Sequence, residues 1–497
     1  MLASVPMKLP ERTEVLIVGA GPTGLVLAGY LRMAGIDVTI VDRADGPSMD
    51  SRAAIVHVRA LELLDPLGIS KVFEEQGVPV ANAAFFDMGS QVCDLDFEEL
   101  GSHHPHAIGI EQQRVERLLG ERLQALGTSI ARGYTLKDLS QDDNEVAATL
   151  TDPQGNPHQV VARYLVGCDG ARSTVRKICG LDGDARQLRE GYAIADVPIH
   201  GDLAPDTMHF YAADSGFAVI WPIPDGLWRL TATLHHINRT PTREDLQQII
   251  SDRGPRASQL DVGPPAIAGS YRIRRTIAAS LRDGRVLLAG DAAHTFSPAT
   301  AQGMNTGIAD AVNLWWKLAE VVFRQTDDEL LDTYDSERRQ AALDAVQRTD
   351  GYSEGPSARN IYARGLRNMI GLLAGRRDAM RLPMTEGLAG FDTEYQEGMI
   401  GREREASVWG DVGKRVNHLP EDMLGTGTFR LLCSKEEDRP TLEKYAEQWP
   451  VRIDVGVSSG GGNRFALVRP DDHIAWLGGR HRLTELSEFL EHWFTHD

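Results

Sequence analysis

The stretch most suited to chemistry runs from Asp291 to Asn305, where mostly small residues follow the apolar run 285–290. Helical periodicity begins at Gly307, so the pattern predicts a strand, a small-residue loop and a helix. Small side chains let a flat ligand approach the backbone closely, and the first N–H groups of a helix favour an anion or an electron-rich carbonyl. Asp291 would accept a hydrogen bond from a sugar or ribityl hydroxyl. An ordinary βα turn capped by Asp is the simpler alternative.

A second pattern lies near the N-terminus, where Gly19, Gly21 and Gly24 separate a buried-strand run from an apolar helix. Another strand follows and ends in Asp42, 18 residues after Gly24. In this βαβ context Gly19 makes the tight turn, Gly21 admits a pyrophosphate, and Gly24 lets helix and strand pack closely. Asp42 would accept both ribose hydroxyls of an adenosine. The pattern therefore predicts a dinucleotide site, and no second one of its kind occurs in the sequence.

Length, charge and cysteine usage exclude several classes of protein. The 497 residues suffice for two or three domains, and the net charge of −19 without a basic stripe argues against binding nucleic acid or an anionic membrane. The apolar run after Val15 is broken by glycine and proline and is too short to span a bilayer. None of the four cysteines forms a CxxC pair, which favours free thiols and a cytoplasmic location.

Three histidines, His103, His104 and His106, are the strongest hint of a metal site in the sequence. No cysteine or carboxylate stands near them at ligand spacing. The sequence therefore predicts no metal site.

The remaining pattern divides the chain into three units. Segments 1–77, 111–185 and 276–380 carry the motifs and predict a Rossmann-like α/β domain, with long helices to about Arg377. Segments 78–110 and 186–275 predict an antiparallel sheet over a pocket suited to an uncharged or aromatic guest. Residues 383–395 have the composition of a linker. Segment 396–497 predicts a small α/β domain without a catalytic constellation, which we expect to serve packing or association.

Together these motifs resemble the single-component FAD-dependent aromatic hydroxylases, in particular the phenol-hydroxylase and aromatic-polyketide-hydroxylase branch. Three markers stand in the family's order: the glycines of 19–24, the Asp169-Gly170 motif within 168–176, and Gly290-Asp291 with its tail at 302–305. The likeness covers residues 12–340 well and the remainder more loosely. It implies a C-terminal domain that resembles thioredoxin but lacks the CxxC, as this chain does.

The resemblance also implies roles for the matching residues. The pyrophosphate of FAD would lie on the glycine loop, with Asp42 and Arg43 at the adenosine. Arg52 and Gln112 would lie near the flavin, and Asp169 in the motif that serves both FAD and a nicotinamide. Backbone N–H groups of residues 303–305 would stabilise negative charge on the reduced ring. The predicted cofactor-binding residues are Gly19, Gly21, Gly24, Asp42, Arg43, Arg52, Gln112, Asp169, Asp291, Pro298, Gly303, Met304 and Asn305.

The activity implied by the resemblance is monooxygenation. NADPH or NADH would reduce FAD, O₂ would add at flavin C4a, and the hydroperoxide would hydroxylate a phenolic or polycyclic aromatic substrate. Because the cofactor carries this chemistry, no catalytic acid or base is predicted. The nicotinamide would dock transiently near Arg52, Asp169 and Pro298, and the protein would be a monomer or a homodimer. A Baeyer–Villiger or epoxidising monooxygenase on the same scaffold is the main alternative.

Other flavoprotein classes fit the residues less well. Trp221-Pro-Ile-Pro224 matches half of the flavin-halogenase motif, but Val219 stands where its first tryptophan belongs. A disulfide reductase needs paired cysteines. A flavin-binding protein without activity would have lost flavin-facing residues, and none of these is missing.

Thr300 and Ala301 depart from the family pattern, which usually has two glycines before Gln302. The backbone donors are unaffected, but a Cβ at each position narrows the path of the flavin or the substrate. Analogy with the family therefore does not identify the substrate.

The Asp42 assignment is testable by FAD binding. The Asp42→Ala variant loses a charge-assisted hydrogen bond to the adenosine, so its affinity for FAD should fall by about 1.5–3 kcal/mol. Titration of the apoprotein with FAD measures this. An affinity equal to that of the parent would show that Asp42 does not hold the adenosine.

Overall fold

The computed structural model describes residues 8–48, 53–234, 239–255, 259–295, 301–324, 326–350, 377–401, 407–417, 419–458 and 462–494. The mixed α/β fold class expected from the sequence is confirmed within these ranges. Among the described helices, none combines the length and the apolar character needed to cross a membrane.

The strands that precede residue 170 are β1 Arg12–Val18, β2 Val38–Asp42, β3 Ile55–Val56, β4 Val78–Val80, β5 Asn82–Asp87, β6 Ser90–Asp96, β7 Ala107–Gly109, β8 Ala131–Arg132, β9 Thr135–Gln141, β10 Val146–Thr151 and β11 Pro157–Gly167. They are followed by β12 Ala185–Val197, β13 Ile199–His200, β14 Thr207–Ala213, β15 Gly216–Ile223, β16 Leu227–Leu234, β17 Asp261–Val262, β18 Ile267–Ile277, β19 Arg282–Asp283, β20 Val286–Leu288 and β21 His294–Thr295. The last four are β22 Phe429–Cys433, β23 Ile453–Val457, β24 Arg464–Val468 and β25 Ile474–Gly479.

The described α-helices are α1 Pro22–Met33, α2 Val58–Leu64, α3 Ser70–Gln76, α4 Gln112–Ala125, α5 Thr174–Ile178, α6 Arg243–Arg253, α7 Gly303–Arg324, α8 Glu329–Asp350, α9 Arg377–Ala389, α10 Arg439–Ala446 and α11 Leu483–Phe494. Residues 351–376, for which helix was also predicted, lie outside the described residues.

The first large sheet is built around β1. Strands β20, β11, β1, β2 and β8 run parallel in that order, and β19, β10 and β9 add antiparallel pairs. The run Val15–Ile17 of β1 is fully buried, as a parallel strand covered on both faces requires. Helix α1 begins directly after the glycine loop with Pro22 in its first turn, a position where the missing N–H of proline has no cost. The two predicted strands and the helix of the βαβ unit are therefore present.

The second large sheet has the order β21-β18-β12-β16-β15-β14-β5-β6. It is antiparallel except at β14 and β5, which run parallel. The expectation of an antiparallel sheet is wrong at that pair, because β5 comes from a distant part of the chain and no hairpin fixes its direction. Strands β4 and β7 were also expected in this sheet but lie in a small separate one, in which β7 pairs with both β3 and β4.

Part of the predicted linker is helical. Residues 383–395 were expected to lack regular structure, yet α9 continues to Ala389 with Pro383 inside it. An interior proline costs about 3 kcal/mol. Leu388 and Ala389 are buried, with Met384 packed beside them, against the core under β5, β6 and β14. Burial of these apolar side chains, which stabilises by about 1.5–3 kcal/mol for a leucine, offsets the energetic cost of the proline.

The C-terminal unit, which we define as the described residues from 407 to 494, carries a sheet of order β23-β22-β24-β25. It has a buried cluster of its own, around Trp409, Val468 and Leu477, and it also shares the large core of the N-terminal half. Trp316 of α7 packs edge to face on Phe429 of β22, with ring centroids 5.4 Å apart, and both belong to the core that also fills the first sheet. The C-terminal unit is therefore joined to the N-terminal half by continuous apolar packing.

Buried charges join the same two parts. We call the side chains of Asp310, Asn313, Lys317, Glu337, Arg338, Tyr395, Arg469 and Asp471 the charge network. At its centre Arg469 donates to both oxygens of Glu337, at 2.7 and 2.8 Å, and both side chains are fully buried. Lys317 donates to Glu337 at 2.8 Å. Burial alone would raise the pKa of Glu337, but the charges of Arg469 and Lys317 lower it to about 2.

Loss of Arg469 should destabilise the protein strongly. The Arg469→Met variant keeps the volume but leaves Glu337 and Asp471 with too little positive charge, which should lower the free energy of unfolding by about 3–5 kcal/mol. Arg452→Met is the matched control, because the Arg452 side chain is 72% exposed beside Asp454 and its loss should change stability by about 0.5 kcal/mol or less. Thermal unfolding of the FAD-loaded proteins makes the comparison. Equal melting temperatures for the two variants would mean that the network contributes no stability.

Candidate active site

The glycine loop is closed on one side and open on the other. Gly19 has φ +111°, and a Cβ on it would lie 2.3 Å from the carbonyl oxygen of Cys168. A Cβ on Gly24 would lie 2.0 Å from the carbonyl oxygen of Gly19. A Cβ on Gly21 would meet nothing within 4 Å, and this residue lines a large cavity. This is the arrangement that a pyrophosphate on the loop requires.

Asp42 stands at the end of β2, beside the glycine loop. Its Oδ2 accepts the N–H of Ala20 at 2.6 Å, and its Oδ1 accepts the N–H of Ala44 at 2.7 Å. These bonds orient the carboxylate, and each oxygen has a further lone pair for a ribose hydroxyl. The neighbouring Arg43 lines the cavity.

Two cofactor motifs are tied together by Arg176 of α5. Asp169 accepts the N–H of Thr174 at 2.6 Å, which fixes the turn between β11 and α5; burial raises the pKa of this carboxyl group. Arg176 then donates to the carbonyl of Ala171 at 3.0 Å and to that of Ala292 at 2.6 Å. The Asp169 turn and the Asp291 turn are thus held at a fixed separation, a role of Arg176 that the sequence did not reveal.

The Asp291 turn is held in place by Thr23 and Asp310, which both contact Gly290. Gly290 has φ +62°, and a Cβ on it would lie 2.5 Å from Oγ1 of Thr23; a Cβ on Gly307 would lie 2.3 Å from the same atom. Oδ2 of Asp310 accepts the N–H of Gly290 at 2.9 Å and lies 2.6 Å from Nε2 of His294. Asp291 itself is exposed and lines the cavity.

Electrostatics explains why Asp310 can serve this turn. Burial alone would raise its pKa, but the charges of His294 and Arg338 lower the pKa below the usual value for an aspartate. Arg338 donates to Oδ1 of Asp310 at 2.7 Å and to Tyr395 at 3.2 Å. The charge network therefore ends at the Asp291 turn.

The start of α7 faces the cavity. The helix begins at Gly303, earlier than the predicted Gly307, and both Gly303 and Met304 line the cavity. A Cβ on Gly303 would meet nothing within 4 Å. The first N–H groups of a helix lack partners within it, so a ligand with carbonyl oxygens has both space and donors here.

The side chains at this helix start hold the walls of the cavity. Oδ1 of Asn305 accepts the N–H of His57 at 2.9 Å, and its Nδ2 donates to the carbonyl of Ile55 at 3.2 Å. Gln302 donates to the carbonyl of Gly387 in α9 at 2.6 Å. Asn305 was predicted for its backbone N–H alone, and its side chain proves to anchor β3.

Gln112, the first residue of α4, also lines the cavity. It accepts a hydrogen bond from the N–H of Ala53 at 3.3 Å and donates to Glu116 at 2.8 Å. Two other predicted residues, Arg52 and Pro298, lie outside the described residues, as does Thr300.

The cavity has a volume of about 1220 Å³ and lies between the two large sheets. The predicted residues that line it are Gly21, Arg43, Gln112, Asp169, Asp291, Gly303 and Met304. Four other predicted residues do not line the cavity but belong to the elements around it: Gly19, Gly24, Asp42 and Asn305. Strands β15, β16 and β18 add Trp221, Thr231 and Tyr271, which sequence reasoning assigned only to a sheet. Positive charge also gathers here, from Arg172, Lys177, Arg272 and Arg274.

Comparison with known proteins gives consistent matches along the chain. Residues 12–349 match the family model "FAD binding domain", and residues 411–496 match "Aromatic-ring hydroxylase, C-terminal". The chain belongs to the FAD-dependent aromatic-ring hydroxylases. The resemblance inferred from the three motifs is thereby confirmed, and with it an FAD-binding monooxygenase. The fit of FAD rests on the open face at Gly21 and Gly303 and on the size of the cavity.

Named relatives extend over nearly the whole hydroxylase. The 6-methylpretetramide 4-monooxygenase of Streptomyces rimosus is 39% identical, over 96% of this chain and 93% of its own. The rifampicin monooxygenase of Rhodococcus hoagii is 32% identical, over 97% and 98%. Among solved structures, the anhydrotetracycline hydroxylase OxyS of Streptomyces rimosus is 31% identical with a TM-score of 0.76, over 97% of this chain and 99% of its own.

Ala301 of the hydroxylase has a backbone conformation that suits glycine. It has φ +53° and lines the cavity just before α7. A side chain in the left-handed region costs about 1–2 kcal/mol. The departure from the family's glycine pattern therefore places strain, together with a methyl group, at the cofactor loop.

Replacement of Ala301 by glycine should remove that strain. The gain of about 1–2 kcal/mol is partly cancelled by about 0.4–1 kcal/mol of added freedom in the unfolded chain, so Ala301→Gly should be neutral or slightly stabilising. Ala319→Gly within α7 is the control and should cost about 1 kcal/mol. Melting temperatures of both variants test this. A loss of stability in Ala301→Gly as large as in Ala319→Gly would show that residue 301 is not strained.

Proposed function

We propose that the hydroxylase uses NADPH or NADH and O₂ to hydroxylate a polycyclic, polyketide-like aromatic substrate beside FAD. The observation that carries this proposal is the cavity of about 1220 Å³ in which the cofactor loops face an aromatic sheet surface. Pockets for small ligands usually measure about 300–1,000 Å³, so this cavity has room for a flavin ring and a large guest together. Relatives named for tetracycline-type and rifampicin substrates support the same class.

The second large sheet would bind and orient the substrate. Tyr271 stacks on Tyr192 with ring centroids 6.1 Å apart, and Tyr192 packs on Phe217 at 6.0 Å. Nε1 of Trp221 donates to the carbonyl of Ala54 at 2.8 Å, which joins the second sheet to the segment just before β3. Trp221 and Tyr271 line the cavity, so an aromatic substrate would pack against these two rings, while the buried Tyr192 and Phe217 support them from within the core.

Bound FAD would supply the redox and oxygen chemistry. The chain's part would be to place donors at the pyrimidine edge of the flavin, through the N–H groups at the start of α7. No side chain is proposed as catalytic acid or base.

The nicotinamide would dock transiently at the mouth of the cavity near Asp169. Arg172, Lys177 and Arg274 line this mouth, and guanidinium and ammonium groups suit the phosphates of a dinucleotide. Arg52 and Pro298 belong to the same proposed docking region. Substrate and nicotinamide would then use one flavin in turn.

The architecture we propose has three domains. Residues 1–77, 111–185 and 276–380 would form a Rossmann-like FAD domain, supported by β1, α1 and β2. Residues 78–110 and 186–275 would form the substrate sheet, and 396–497 a thioredoxin-like domain, supported by the mixed sheet of β22 to β25. The four cysteines form no disulfide with one another, which supports a cytoplasmic location, and we propose a monomer or a homodimer.

Product analysis tests the reaction itself. Incubation with NADPH, a panel of phenols and polycyclic quinones, and isotope-labelled O₂ should give a ring-hydroxylated product that carries one labelled oxygen atom. Mass spectrometry and the fragmentation pattern distinguish it from a lactone or an epoxide. A lactone or epoxide as the main product would favour the Baeyer–Villiger or epoxidising alternative.

Shared use of one flavin predicts that substrate accelerates its reduction, because the substrate favours a flavin position that the nicotinamide reaches. Stopped-flow mixing with NADPH without oxygen should show slow flavin bleaching alone and clearly faster bleaching with a substrate that is hydroxylated. Arg52→Ala should reduce this acceleration more than FAD affinity, whereas Asp42→Ala should do the reverse. Equal rates with and without such a substrate would contradict the shared-flavin proposal.

A further inference from the structure

The loop 101–106, between β6 and β7, brings two histidines to one carboxylate. Nε2 of His103 lies 2.5 Å from Oδ2 of Asp65, just after α2, and Nε2 of His104 lies 3.0 Å from each oxygen of the same carboxylate. One ligand atom from each of the three residues falls within 4.8 Å of the others. No carboxylate stands beside these histidines in the sequence at ligand spacing, but the fold brings them Asp65, which lies 38 residues before His103.

The opposite side of the His104 ring also meets a carboxylate. Nδ1 of His104 lies 2.9 Å from Oε1 of Glu74 in α3. A neutral imidazole has a single N–H. If Glu74 accepts that hydrogen at Nδ1, the Nε2 lone pair of His104 points at Asp65, whose oxygens carry lone pairs as well. His104 and Asp65 can therefore be joined either by a hydrogen on Nε2 of a protonated ring or by a metal ion bound to both side chains.

We propose that Asp65, His103 and His104 bind a divalent transition-metal ion of the zinc type, with Glu74 orienting His104. Two imidazole nitrogens and one carboxylate oxygen form a typical donor set for Zn²⁺ with water at the remaining position. A carboxylate behind a ligating histidine is the usual support for such a site, since it fixes the tautomer and the ring orientation.

Binding of zinc requires a small shift of His104 and a larger shift of His103, whose Nε2 lies only 2.5 Å from Oδ2 of Asp65. Ligands about 2.0–2.1 Å from a tetrahedral zinc lie about 3.3 Å apart, a few tenths of an ångström more than the 3.0 Å between His104 and Asp65. The His104 side chain is 8% exposed, and its backbone N–H is held by Ser102 at 3.2 Å. The His103 side chain is 34% exposed, so it is the ligand free to move outward and the side from which an ion and its water would enter.

The site would be structural. In the described part of the chain, none of the four residues lines the cofactor cavity. The loop leads directly into β7, which pairs with β3, the strand that Asn305 anchors. Gly425 of the C-terminal unit also lies against Asp65, since a Cβ on it would be 3.2 Å from the aspartate Cβ. A bound ion would therefore fix the loop where α2, α3 and the C-terminal unit meet.

The test is a zinc titration of the FAD-loaded protein after treatment with a chelator. The wild type should retain about one Zn²⁺ per chain after desalting, measured by mass spectrometry of the metal, with micromolar or tighter affinity in competition with a chromophoric chelator. Zinc should also raise its melting temperature. His103→Gln and Asp65→Asn should lose this binding, and Glu74→Gln should weaken it by about 10–100-fold.

His158→Gln is the matched control, because His158 contacts a single carboxylate, Asp152, at 3.0 Å; it should bind zinc like the wild type. His103 is partly exposed, so His103→Gln should fold, as its flavin absorbance will show. Zinc binding by His103→Gln equal to that of the wild type would place the ion elsewhere and overturn the proposal. So would a wild type that retains no zinc, since protons alone would then hold the cluster. Neither result depends on the hydroxylation assay.

Discussion

The ion pair of Arg469 and Glu337 is the interaction on which the assembly of the molecule depends. Neither side chain has access to water, so both charges depend on buried partners: each other, Lys317 beside Glu337 and Asp471 beside Arg469. Glu337 belongs to α8, and the next residue, Arg338, holds Asp310 at 2.7 Å. Asp310 in turn accepts the N–H of Gly290 at the cofactor turn. Stability of the C-terminal unit and the shape of the cofactor turn are consequently set by adjacent residues of one helix.

Helix α9, part of which was predicted to be a linker, packs near the start of α7. Proline and glycine content favours a linker for residues 383–395, but α9 packs on the second sheet and offers the carbonyl of Gly387 to Gln302. Trp221 of the second sheet donates to the carbonyl of Ala54, just before β3. These bonds join elements distant in sequence around a loop of mostly small residues.

The sequence predicts what local pattern determines. Gly19, Gly21 and Gly24 stand where their spacing places them, because a glycine's role in a tight turn depends on a few neighbouring residues. The hydrogen bond between Asn305 and His57 joins residues 248 positions apart, and no motif spacing in the sequence predicts it. The parallel pairing of β14 with β5 and the meeting of His103 with Asp65 are likewise consequences of the tertiary fold. The predicted residues that line the cavity or form its loops were therefore easier to find than the residues that hold them in place.

The order of the chain gives the buried ion pair a consequence for biosynthesis. Arg469 follows Glu337 by 132 residues, so the ribosome delivers both motif turns and both long helices well before the guanidinium that neutralises Glu337. Until then Lys317 of α7 is the cationic partner of the Glu337 carboxylate, and the side chain of Trp316 lacks its contact with Phe429. The buried pair that joins the two parts of the molecule therefore forms only after most of the chain has been synthesised, a stage at which exposed apolar surface favours aggregation.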